Sequence, residues 1–165
     1  MLLFLVFLLP IFFLPISGLA SAFSKNFLLF TSIFVIALLW LVERLKSGFF
    51  AMPKTVLILF ASFIPIVFFV SALLSSAPLV SLTGIGSEIG TFFSMLVFFL
   101  LFFFSALFFQ SKERVLYAYG VIAFSLFFIF LFQFMRLWGG ETLLSFGFFN
   151  NAISNMVGKW NDLGV

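Results

Sequence analysis

Few side chains in this sequence can do chemistry, so each one carries weight. Eight Lys/Arg and five Asp/Glu serve 165 residues, and histidine and cysteine are absent from the sequence. Without thiols there are no disulfides, thiolate zinc sites, iron–sulfur clusters or cysteine nucleophiles. Without imidazole the side chain most used for proton transfer near neutral pH is gone. No metal and no cofactor is expected, and spacing alone assigns no catalytic residue. The candidate ligand-binding groups are Glu88, Gln133, Arg136, Lys159 and Asn161. Gln133 and Arg136 are three apart, so on a helix they share a face. The Arg has two readings. It snorkels to lipid phosphate, or its planar fork holds two oxygens of an anionic ligand such as a pyrophosphate. Glu88 lies in Ser71–Gly90, a stretch with five Ser, one Thr, Pro78 and three Gly. That stretch reads either as an ordinary wet loop or as part of a cavity wall with Glu88 at its mouth. A carboxylate near a helix start also suits the helix dipole.

The elements that position these groups follow from composition. The chain is 65% hydrophobic and 8% charged, whereas a soluble domain is about half apolar and about a quarter charged. A water-facing surface cannot be built from this. A soluble globular protein, a disordered chain and a nucleic-acid binder are excluded. The 32 Phe are rings for lipid and for neighbouring helices. Crossing hydrocarbon takes about 20 apolar residues as a helix, while barrel strands alternate apolar and polar residues. Phe98–Phe104 is apolar on every side, so helices fit. The expected fold is all-α, a polytopic transmembrane helix bundle of five spans. They are Leu2–Ile16, Phe27–Val42, Thr55–Leu74, Ile89–Gln110 and Val115–Phe134. The first two are short, which calls for local bilayer thinning or extension into Gly18–Phe23. Pro10 and Pro65 fall inside spans and are expected to kink them.

Loop charge sets the orientation. Glu43–Lys54 and Ser111–Arg114 hold Arg44, Lys46, Lys54, Lys112 and Arg114, five of the eight cations. The positive-inside rule puts both loops, and the N-terminus, in the cytoplasm. Trp40 and Trp138 are then expected near opposite membrane faces. A signal peptide is the competing reading of Leu2–Leu14, but no cation precedes the apolar run. Residues 1–135 form the expected five-span region, and 136–165 an external segment. Thr142–Val157 holds three Asn, whose unpartnered burial is costly, so it is expected on the outer surface. Apolar residues resume at the end of the chain like the start of a sixth span. The chain is therefore expected to be the N-terminal part of a longer protein.

Three features, in order, resemble the O-antigen ligase and O-antigen polymerase-like membrane proteins. Ser71-Ala72-Leu73-Leu74-Ser75 with Pro78, Ser81 and Gly84 is similar to that family's Ser-rich turn after the third span. Gln133 closes the fifth span. Val157-Gly158-Lys159-Trp160-Asn161-Asp162-Leu163 is similar to a Gly-Asn-Pro-Asn-x-Leu-type stretch, with Lys159-Trp160 replacing Asn-Pro. The resemblance implies a bacterial glycosyltransferase of the cytoplasmic (inner) membrane, acting in cell-envelope polysaccharide biosynthesis. It would transfer an oligosaccharide from a polyprenyl-pyrophosphate carrier to a glycan, lipid or protein acceptor on the outer face. In that family the large external loop with key basic residues lies further along, so the sequence given is not expected to be catalytically complete. The alternative is a non-catalytic scaffold, an accessory subunit or part of a permease. Uncharged span interiors argue against ion-coupled transport.

Overall fold

The computed structural model describes residues 1–12, 21–48, 55–84 and 88–140. They form six helices: α1 (Leu2–Ile11), α2 (Ser21–Ser47), α3 (Val56–Leu73), α4 (Pro78–Thr83), α5 (Phe92–Phe108) and α6 (Lys112–Gly139). No strand occurs among the described residues. The physical reason is simple. Where water is absent, a helix satisfies its own backbone groups, and runs of Leu, Phe, Ile and Val offer no side-chain competitor for those bonds.

Phe23–Ser47, Val56–Leu73 and Lys112–Gly139 are long and apolar enough to cross a membrane, while α1 and α5 are shorter apolar helices. Two helices outrun the expected spans. The 27 residues of α2 reach about 40 Å at 1.5 Å per residue. The helix begins at Ser21 and carries its basic end through Arg44 and Lys46. Polar Ser24, Lys25 and Asn26 therefore continue the helix instead of preceding it. Likewise α6 runs on to Gly139, so Gln133, Arg136 and Trp138 are all helical. It ends where Gly140, at φ 86°, donates its N–H to Arg136 O at 3.1 Å, a left-handed glycine cap. Both α1 and α3 continue through Pro10 and Pro65.

The chain forms two compact units. The first contains α1, the start of α2 up to Leu29, and α6 from Val115. Its core includes Leu2, Leu5, Ile129 and Phe132. Phe7 stacks on Phe124 with centroids 5.8 Å apart and meets Phe128 edge-on at 6.2 Å. Ser125 is fully buried and donates its hydroxyl to Phe7 O at 3.1 Å. Removing this donor leaves less to fix α1 against α6. Ser125→Ala is expected to lower stability by about 1 kcal/mol, read as an earlier unfolding midpoint in detergent. Ser62→Ala, whose hydroxyl only bonds Leu59 O of its own helix, is expected to cost less. Equal midpoints for the two variants would remove the tie.

The second unit spans Phe30–Arg114. Within it α3 packs against α5, and α4 touches both. Trp40 sits edge-on to Phe103 and Phe104, 5.9 and 6.0 Å away. Trp40 therefore packs on α5, whereas Trp138 on α6 is 84% exposed. The Ser-rich stretch after α3 is not wholly irregular. Ser75 Oγ accepts from Ala77 N–H and from Ser81 Oγ, at 3.2 and 2.8 Å. Pro78 then starts α4 at a helix position that suits its missing N–H. Large side chains such as Phe34, Leu57, Phe60 and Val67 stay exposed across both long helices, as lipid contact requires.

Candidate functional site

The buried positions of α6 are Ser125, Ile129, Phe132, Gln133 and Arg136. Their spacing of three and four makes one stripe along the helix. Gln133 and Arg136 thus lie on the protein-facing stripe. Arg136 is the charged member of this stripe. Its residue surface is only 5% exposed, and its guanidinium carbon lies 6.0 Å from the Phe132 ring centroid. The exposed side of α6 here carries Phe130, Phe134 and Leu137.

Gln133 is 7% exposed, and its buried Oε1 has no hydrogen-bond partner among the described residues. A buried amide oxygen without a donor is unfavourable by about 1–3 kcal/mol. The site therefore combines a buried cation with a buried acceptor that lacks a donor. On its other side Gln133 borders a shallow, open apolar surface of α6 formed by Phe130, Leu131, Phe134 and Leu137. Ser24, 1% exposed, and the half-buried Lys25 and Asn26 belong to the same unit. The sequence reading missed them as candidates. Their signal was three polar residues directly before an apolar run.

Glu88 lies in the other unit and is exposed. Its backbone carbonyl accepts from Ser94 Oγ at 2.9 Å. Thr91 caps α5 by accepting from Ser94 N–H, and its hydroxyl donates to Ser94 Oγ at 3.0 Å. The local role of Glu88 is thus to lead the chain into a capped helix. Lys159, Asn161 and the segment Thr142–Val157 lie outside the described residues. Among the described residues no group of three or more His, Cys, Asp or Glu could hold a metal ion.

The fold and this stripe define a class: an all-helical protein with three helices able to cross a membrane and a buried Arg–Gln pair near the end of the third. In comparisons with protein-family models, curated proteins and solved structures, nothing matches this chain.

Proposed function

We propose that this chain is a multi-pass protein of the cytoplasmic membrane with five crossings and a cytoplasmic N-terminus. In this reading it forms the N-terminal region of an O-antigen ligase or polymerase-like glycosyltransferase. The crossings are the five that contain α1, α2, α3, α5 and α6. The basic ends of α2 and α6 then face the cytoplasm, and the Gln133–Arg136 end of α6 faces the outer side. There it would receive the polyprenyl-pyrophosphate-linked glycan, and Lys159 and Asn161 are the further candidate groups for binding it.

The observation that carries this reading is Arg136 on the buried stripe beside the donorless oxygen of Gln133. An ionisable side chain kept inside a membrane protein is a functional-site hypothesis by default. A glycosyl pyrophosphate offers both anionic oxygens and hydroxyl donors. Its anionic oxygens match the guanidinium fork, and its sugar hydroxyls can donate to the amide. The apolar surface beside Gln133 suits the polyprenyl chain. A held pyrophosphate is also a better leaving group, because its developing charge is stabilised.

The double variant R136Q/K159Q in the intact protein tests this. Loss of glycan transfer with normal membrane insertion is the expected result. Unchanged transfer would leave both cations as structural or interfacial groups and overturn the proposal.

A further inference from the structure

The corner between α3 and α5 exposes leucine while its hydroxyls bond within the corner. Leu74, just past α3, is 83% exposed, and Leu79 on α4 is 75% exposed. No charged residue lies between Ser71 and Gly84, whereas the links after α2 and α5 carry lysine. Ser81 Oγ donates to Ser75 Oγ, which ties α4 to the end of α3. Thr83 Oγ1 donates to Leu79 O at 2.8 Å. Thr83 follows Leu79 by four residues and shares its face of the helix. With the Thr83 hydroxyl bonded to its own helix, that face offers water little to bind. One exposed leucine is ordinary on any surface. Here a larger apolar face runs into the corner: Ile66, Val67, Val70 and Leu74 border one shallow surface along α3 that reaches Ser75.

We propose that this corner lies in the outer membrane interface, with Leu74 and Leu79 against lipid acyl chains. This placement rests on α3 crossing the membrane, as proposed above. A helix with an apolar face can sink that face into the boundary between head groups and acyl chains. The start of α4 limits the depth. No side chain caps that end, so its first N–H groups need water or lipid head groups and are unsuited to hydrocarbon. A second copy of the chain would need more surface than the corner has. Two leucines supply a small part of the about 800 Å² per partner that a stable interface buries. Lipid sets no such threshold, because each apolar side chain gains on its own by leaving water. Since α4 touches both α3 and α5, an anchored corner also fixes the depth at which α5 begins.

The test uses the full chain in phosphatidylcholine nanodiscs, with a bimane fluorophore on single introduced cysteines, since the sequence has none of its own. Two quenchers are compared: iodide in water, and phosphatidylcholine bearing a nitroxide near the head-group end of its acyl chain. The label in Leu79→Cys and in Leu74→Cys is expected to be quenched by the nitroxide lipid. Iodide is expected to quench both several-fold less than it quenches Glu88→Cys, an exposed charged position that serves as the water reference. Both leucines are exposed, so neither replacement empties a core, and each variant stands in for the other if one does not fold. Ile64→Cys, at an exposed position midway along α3, reports the crossing separately. Iodide quenching at 74 and 79 equal to that at 88, with Ile64→Cys still quenched by lipid alone, would overturn the interfacial corner and leave the crossing standing. Equal lipid quenching at 79 and 88 would mean that the label pulls a wet turn into lipid, and would also overturn it. Quenching of 74 and 79 by neither agent would mean that protein covers them, and would overturn lipid as the partner. Strong iodide quenching of Ile64→Cys would overturn the crossing itself, and the corner with it.

Discussion

Arg136→Glu is expected to destabilise strongly the unit built from α1, the start of α2 and α6. The position is 5% exposed, so the new carboxylate has little access to water or to lipid head groups. It would also stand one helical turn from the buried Gln133 Oε1, exchanging an attractive neighbour for a repulsive one. Breaking the environment of a buried charge costs about 3–5 kcal/mol. That is a large share of the roughly 5–15 kcal/mol that holds a typical domain together. The expected readout is loss of the monodisperse peak in detergent and protease cleavage near the end of α6. Arg136→Lys, which keeps the sign of the charge, is expected to remain folded. An R136E protein melting within a few degrees of wild type would show that position 136 reaches water after all, and would favour the snorkelling reading.

That outcome matters because it separates what periodicity can reveal from what it cannot. Apolar runs are visible in sequence because a helix in hydrocarbon needs them, and the expected spans Phe27–Val42, Thr55–Leu74 and Val115–Phe134 fall on the three helices long and apolar enough to cross a membrane. Their ends are less visible. α2 and α6 extend past Phe27–Val42 and Val115–Phe134 because Ser, Lys, Asn, Gln and Arg continue a helix without difficulty once it has started. The shared face of Gln133 and Arg136 was legible from their spacing. Which way that face turned was not. The choice between lipid and protein is made by the other stripe members, Ser125, Ile129 and Phe132, and by which residues pack on them. In a sequence where nearly every position is apolar, hydrophobicity no longer distinguishes the inner face from the outer. The Arg114–Phe108 stack was hidden for another reason. It depends on the turn through Phe109, Gln110 and Ser111, whose geometry no spacing rule supplies. The helix Pro78–Thr83 was hidden by its own composition. Its Ser and Pro are turn formers, and they start a helix here because Ser75 holds the preceding turn.

Gly84→Val is expected to destabilise the α3–α4–α5 corner by about 3 kcal/mol or more, from backbone strain together with a lost cap. Gly84 has φ 77° and ψ 168°, a region open to almost no residue except glycine. Space is short as well. A Cβ there would meet Thr91 Cγ2 at 2.9 Å, with Glu88 Cβ and Oε2 at 3.6 Å. Thr91 cannot yield cheaply, because it is 4% exposed and caps α5 through Ser94. Moving it would release Ser94 N–H and disturb the bond from Ser94 Oγ to Glu88 O. Strain at Gly84 therefore passes directly to the start of α5 and to the backbone that carries Glu88. Gly84→Ala should show the backbone cost with a smaller steric one. Gly90→Ala is the control, since a Cβ at Gly90 meets nothing within 4 Å, and it is expected to be nearly neutral. Thermal unfolding of the three variants in one detergent gives the comparison. If G84V unfolds at the same temperature as G90A, the corner is not held by the Gly84–Thr91 approach, and Glu88 is not fixed by it.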